Sequence, residues 1–455
     1  MDKTTEALAR YASSLRFENL SANAVKSAKR HIVDAVGCAL GGYRSEPADI
    51  ARRLARGNSG TPSARLIGDG LVTSVQMAAF ANAVMVRYLD ANDTYIARGS
   101  GHPSDVFAAV LAAAEANNAS GKDLITGTIA AYEVFGALAD QVGLRDRGWD
   151  QGVFVAPSVA AAASLLFGLN SEQMVNALAI AVTAYVPTRQ TRAGELSMWK
   201  GTATAAAACG GLFAAQLAKE GMTGPTAAFE GHHGLCEQVT GPFTLGELPS
   251  KAGFAIERAN LKYYATEYHS QAPLWAALVL REKLQGEEIE SVDVQTYWTA
   301  YSEIGSEPAK WDPRSRETAD HSLPYLLAVA LRDGRITPAI FEPARYLDPT
   351  LRPLMNRIRI SENTEFTKAF PGSLTSEITV TTRSGVRHTE RTSYPKGHAR
   401  NPMSDEDIDR KFRDFSSSVL EKPQADDVLG FLWDLERAPE VRRLLDVLTI
   451  RGRTS

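Results

Sequence analysis

The stretch VFVAPSVAAAASLLFGL, Val153 to Leu169, decides what kind of fold this chain can adopt. It is the most apolar run in the sequence, yet it is dominated by small alanines and carries Pro157, Ser158 and Ser164. A membrane-spanning helix needs roughly 18 or more uninterrupted apolar residues, and this run falls short of that. It reads instead as a helix buried within a protein core, because a helix that is apolar all round must be covered all round. The segments 104–117, 125–140, 172–186 and 201–219 are also rich in Ala and Gly. Helices with such small side chains can approach one another closely, so the first half of the chain predicts a compact all-α bundle.

Toward the N-terminus, Val25, Ala28, Ile32, Ala35 and Ala39 form a helical stripe that starts after Ser21 and stops at Gly41-Gly42. Serine is a favoured N-cap and glycine a favoured stop. MDKTTEALARYASSL places Leu8, Tyr11, Ala12 and Leu15 on one face and lacks the apolar core of a leader peptide, so it predicts a docked helix. Toward the C-terminus, Asn170 and Gln173 form a capping pair ahead of the next helix, which Pro187 ends. After about residue 270 the period changes. Val292, Val294, Thr296 and Trp298 alternate with Asp293, Gln295 and Tyr297, and Ile358 and Ile360 alternate with arginines, the two-residue period of strands. SEITVTTRSGVRHTER reads as a hairpin turning at Ser384-Gly385. From Ser404, a good cap followed by acids, helical periodicity returns to the end of the chain.

With 49 basic and 53 acidic residues the net charge is −4, and no basic stripe is present, which argues against nucleic acid or an anionic membrane as partner. Cys38, Cys209 and Cys236 are odd in number and widely spaced. They predict reduced thiols in a cytoplasmic setting, and they lack the grouping of an iron–sulfur or zinc site.

Polar clusters interrupt the apolar segments. YLDANDTYIARGSGHPSD, Tyr88 to Asp105, brings Asp90, Asp93, Thr94 and His102 to the expected mouth of a helix starting at Ser104 or Asp105, where backbone N–H groups attract anions. TRQTRAGELSMWKG offers Arg189, Arg192 and Lys200; LKYYATEYHSQAP offers Lys262 and His269; TADHSLPYLLAVAL offers His321 and Tyr325; SYPKGHAR offers Lys396, His398 and Arg400. Each alone has a plainer reading, as cap, snorkelling lysine, core tyrosine or solvated turn. Together they suit a pocket for a multiply charged anion.

Seven blocks, LDANDTYIARGSGHPSD, GWDQGVFVAPSVAAAASLLFGL, MWKGTATAAAACGGLFAAQLAKEGMTGP, FEGHHG, KYYATEYHSQA, DHSLPYLLAVAL and YPKGHAR, occur in the order found in the MmgE/PrpD family, which this chain resembles. The resemblance implies a mainly α protein: a large all-helical domain over 1–268 and 402–455, with a smaller α+β lid domain over 269–401. It also implies a homodimer without metal or organic cofactor, acting on small di- or tricarboxylates. Within the family, members dehydrate 2-methylcitrate to 2-methyl-cis-aconitate in propionate catabolism, decarboxylate cis-aconitate, or epimerise iminodisuccinate. Carried over by position, the family's site falls on Asp90 and Thr94, His102, Lys200, His269 and Tyr325. Asp150 departs from the decarboxylase branch, which resembles this segment but carries histidine there. The chain is thus most similar to the dehydratase branch.

Loss of water from a β-hydroxy tricarboxylate needs a base for the proton beside a carboxylate, an acid for the departing hydroxide, and cations for the charge that develops. His102 and His269 are the acid/base candidates, Asp90 the group that would orient His102, and Lys200 a carboxylate clamp. Tyr325 completes the catalytic set. Thr94, Asp93, Arg189, Arg192, Asp150, Lys262, Lys396, His398 and Arg400 are candidates for substrate binding. The non-enzymatic alternative is a dimeric scaffold that only binds carboxylates.

Overall fold

A computed structural model describes residues 2–451. The chain divides into two compact units, one made of Met1–Arg192, Gly201–Leu261 and Ser404–Ser455, the other of Ala193–Lys200 and Lys262–Met403.

The first unit is helical apart from a small ribbon pairing Ser63–Arg65 with Val72–Ser74. Helix Gly152–Leu166 buries every residue except Leu165, as its composition demands. It runs through Pro157, which gives up one hydrogen bond inside an otherwise intact helix. Its closest approaches depend on missing side chains: a Cβ on Gly211, in helix Trp199–Lys219, would collide with the carbonyl oxygen of Ala156. The expected caps form. Ser21 accepts from Ala24 N–H at the start of helix Ala22–Gly42, and Asn170 with Gln173 makes a reciprocal capping box on Ser171–Ala184. Helix Lys3–Ser14 docks through Leu8, Ala9 and Ala12, and Asp2 both caps it and accepts from Phe229 N–H at 2.8 Å. Ser404 and Asp407 cap helix Asp405–Ser416, which lies against Ala22–Gly42. Among the described residues no helix is long and apolar enough to cross a membrane.

The second unit holds a four-stranded sheet in the order Ile358–Glu362, Ile289–Thr296, Ser376–Thr382, Arg387–Thr392, the first pair parallel and the others antiparallel. Val292, Val294, Ile378 and Val380 face helices Gln271–Leu284 and Leu323–Asp333 across one apolar core. The hairpin turns at Ser384-Gly385, and Gly385 takes φ 87°, where glycine carries no steric penalty. Trp298 differs from the alternation expected of it. The strand ends at Thr296, and Trp298 opens helix Trp298–Ile304 with 52% of its surface exposed.

Candidate active site

In the first unit, helix Val75–Tyr88 ends and Asp90 turns the chain at φ 51°. The loop is then folded by pairing of Tyr95 with Gly101 and of Thr94 with Asn260. A 3-10 turn, Pro103–Val106, precedes helix Phe107–Ala116, so the α-helix starts later than Ser104 or Asp105. The anion at this helix mouth is the protein's own. Asp93, with no exposed surface, accepts from Ser104 N–H at 2.9 Å, Ser104 Oγ, Tyr132 Oη at 2.7 Å and His31 Nδ1 at 2.9 Å. Burial opposes its ionisation, but these donors outweigh that and hold its carboxyl below the usual range. Asp93, expected among the substrate-binding residues, is thus engaged by four donors of the protein itself.

His102 is half-buried, with Nδ1 2.6 Å from the carbonyl oxygen of Asp93 and 3.2 Å from Thr94 Oγ1. A carbonyl can only accept, so it fixes the proton on Nδ1 and leaves Nε2 as the basic nitrogen of the neutral ring. The main-chain N–H of His102 donates to Gln151 Oε1. The Nδ1 partner is thus a main-chain carbonyl where Asp90 was expected; the Asp90 carboxylate pairs with Arg87. Asn92 bridges Ser104 and Asp105 at 2.9 and 2.8 Å. Burial lifts the Asp105 carboxyl to about 6 against the pull of Arg87.

Asp150 and Arg192 come together but spend their charge on each other: Arg192 Nε lies 2.6 Å from Asp150 Oδ2, and Thr191 and Gly152 N–H add bonds. Burial notwithstanding, Arg192 keeps the Asp150 carboxyl below its ordinary value, with Arg189 contributing charge. This pair fastens residues 148–150 to 187–192, a structural task that charge patterning alone does not reveal.

In the second unit, Lys200 is buried and its Nζ lies 3.2 Å from both carboxylate oxygens of Asp320. His269 sits in turn Tyr268–Ser270, capped by Glu267, with Nδ1 2.5 Å from Tyr297 Oη. Lys262 is fully buried. Tyr325, expected in the catalytic set, lies in the apolar core; its hydroxyl donates to the carbonyl of Ile340, and burial raises its pKa well above that of a free phenol. The turn of Lys396, His398 and Arg400 is stitched to itself. Arg400 N–H donates to His398 Nδ1 at 3.0 Å, Arg400 Nη1 donates to Tyr394 Oη, and Lys396 lies over the Tyr263 ring. Burial, aided by Arg400, pushes the His398 imidazole down to about 4, so it is neutral near pH 7.

Several residues escaped the sequence reading. His31 and Asp34 lie in the apolar stripe of helix Ala22–Gly42, and a charge in such a stripe is itself a signal of a buried partner. Lys411 is that partner for Asp34, at 2.6 Å. Asp320, which pairs with Lys200, is not among the residues that the sequence singles out.

Residues 6–247 match the MmgE/PrpD N-terminal domain and residues 264–435 the MmgE/PrpD C-terminal domain. The chain is 27% identical over 424 residues to the 2-methylcitrate dehydratase of Escherichia coli O157:H7, covering 85% of this chain and 84% of the relative. It is 28% identical over 414 residues to that of Cupriavidus necator, with the same coverage. An alkylcitrate dehydratase from a fungal species is 27% identical over 447 residues, covering 90% of this chain and 87% of the relative.

Proposed function

This chain belongs to the MmgE/PrpD family, and on that premise we propose that it is a hydro-lyase that removes water from 2-methylcitrate or a closely related tricarboxylate. The observation that carries this reading is that relatives named for the dehydration of alkylated citrates align over 85–90% of the chain. Side-chain chemistry supports it. His102, with Nδ1 committed to a carbonyl, has the lone pair of Nε2 to take the proton beside a substrate carboxylate. His269 suits the acid, because the Tyr297 hydroxyl can donate to or accept from Nδ1 and so serves the ring in both protonation states. Lys200 is the cation for a carboxylate, in a role that any substrate must share with Asp320. Thr94 steadies His102.

The test is a panel: purified protein with 2-methylcitrate, citrate, cis-aconitate and iminodisuccinate, followed by alkene absorbance and released CO₂. Alkene formation from 2-methylcitrate is the expected result. CO₂ from cis-aconitate would favour the decarboxylase reading, and no turnover with measurable binding the scaffold reading. The proposal routes no step through a metal, so exhaustive treatment with EDTA should leave the rate unchanged. For His102→Asn we expect kcat to fall by about 10²–10⁴-fold with a small change in KM, as for loss of a general base.

A further inference from the structure

Gln151 stands at the N-cap of the buried helix Gly152–Leu166, yet its side chain makes no capping bond. That task falls to Asp150, whose carboxylate accepts from Gly152 N–H at 3.2 Å. The Gln151 amide goes instead to the loop that carries His102. Its Oε1 accepts the main-chain N–H of His102, and its Nε2 faces Asp105 Oδ2 at 3.5 Å. The two partners settle which end of the amide is which, because a main-chain N–H needs an acceptor and a carboxylate a donor. The backbone of Gln151 is itself fixed: its carbonyl accepts from Phe154 N–H at 2.8 Å, in the first turn of the helix. Room for the amide comes from Gly101, where a Cβ would run into Gln151 Oε1.

We propose that Gln151 is a positioning residue that sets the main chain of His102, and through it the place of the imidazole, for proton transfer. The inference rests on the hydro-lyase reading above and adds no acid or base to it. Two anchors act on one residue. The Asp93 carbonyl holds Nδ1 at 2.6 Å and so fixes the tautomer, while Gln151 fixes the backbone from which the ring swings. Asp105 N–H donates to the His102 carbonyl at 3.0 Å, so an amide that holds residue 102 and faces residue 105 spans that turn. A main-chain N–H does not need a side chain, because water satisfies it equally well. A glutamine carried on a buried helix does so with little freedom of its own, which is what precise placement requires. The choice of an amide follows too. A glutamate would set a second carboxylate against Asp105, and a methionine of similar length would offer no strong acceptor and no donor. An error of about 1 Å in the place of a reacting group can cost on the order of 10²-fold in rate.

The experiment uses the full-length chain. With whichever acid of the panel the wild type converts, Gln151→Met should lower kcat by about 10–10²-fold with KM changed only a few-fold, in protein that melts well above the assay temperature. Gln151→Glu should also lose turnover. Adding Asp105→Asn to it should recover most of that loss, because acceptor and donor have then only exchanged sides. In protein labelled with ¹⁵N-histidine, the His102 ring, assigned by its loss in His102→Asn, should show a protonated Nδ1 in the wild type. In Gln151→Met it should drift toward the mixed tautomers of a free imidazole. A folded Gln151→Met variant with wild-type kcat, or one altered only in KM, overturns the proposal, as does a double variant no better than Gln151→Glu. If Gln151→Met does not fold, the recovery of kcat in the double variant decides. Were no acid of the panel converted, the hydro-lyase reading would fall, and the His102 signal alone would judge Gln151: a ring unchanged by Gln151→Met sinks the positioning role whatever the substrate.

Discussion

At the scale of single residues, the loop that carries His102 is governed by what burial does to carboxylates. Asp93 and Asp105 lie in one network yet move in opposite directions, because four donors converge on Asp93 whereas Asp105 has Asn92 at 2.8 Å and Arg87 only at 3.7 Å. The consequence for stability has a definite sign. A carboxyl with pKa about 6 folded and about 3.9 unfolded binds its proton more tightly when folded, so its contribution is complete below pH ~4 and is lost as pH rises through about 6. Asp105→Asn keeps the acceptor for Asn92 and removes the charge. Its stability curve in urea should therefore lack the decline between pH 4 and 6, and the variant should gain on the wild type near neutrality by on the order of 2–3 kcal/mol. Asp93 behaves the other way. Its contribution is present above the unfolded pKa and is lost as pH falls through its depressed folded value. Asp93→Ala strands the donors of His31, Tyr132 and Ser104, and should cost roughly 3–5 kcal/mol, the range for breaking a buried pair. An Asp93→Ala protein as stable as the parent would show that the loop does not depend on this carboxylate.

At the scale of elements, close helix packing rests on glycines with no room for a methyl group. Gly211→Ala forces Cβ into the Ala156 carbonyl, which is backbone and cannot swing aside. It should cost about 1–3 kcal/mol, the usual penalty of overpacking. Gly430, inside helix Lys422–Trp433, faces open space, so Gly430→Ala should instead stabilise by about 0.5–1 kcal/mol. Thermal melts of the two variants should shift in opposite directions. These elements were readable in the sequence because their signals are local. Ser21, Asn170 with Gln173, and Ser404 each announce a helix start within four residues, and the buried run at Gly152–Leu166 announces itself by composition. The end of a strand has no such local mark, which is why Trp298 was expected to continue one. The site was legible only as a set of polar interruptions. That Asp93 fills the helix mouth depends on His31 and Tyr132, and that Lys200 meets Asp320 depends on segments far apart in sequence. Tyr325 has two readings in sequence, because an apolar helix and a polar hydroxyl together fit a core as well as a site.

At the scale of the whole molecule, the C-terminal segment returns to the helical unit, and one buried ion pair marks where it is fastened. Lys411, in helix Asp405–Ser416, donates to Asp34 at 2.6 Å and to the carbonyl of Ala91 at 2.7 Å. It thus ties the chain's last part both to helix Ala22–Gly42 and to the loop three residues before Thr94. The pair is costly to desolvate and more costly to break. Burial pushes the Asp34 carboxyl up, and Lys411 is the largest influence holding it down. Lys411→Met removes that cation and leaves a carboxylate without its compensating charge, which should destabilise by about 3–5 kcal/mol. The sign of the pH effect follows. Protonation relieves the variant of its buried charge, so its deficit relative to the wild type should shrink as pH falls toward 5 and grow as pH rises. Combining Lys411→Met with Asp34→Asn removes the charge outright and should restore a large part of the loss at pH 7. Denaturant titrations of the wild type, both single variants and the double variant at pH 5 and 7 measure the coupling directly. Additive losses with no pH dependence would mean that helix Asp405–Ser416 is held by its apolar face alone, through contacts such as Phe412 against Gly37, and that the ion pair is incidental to how the two ends of the chain meet.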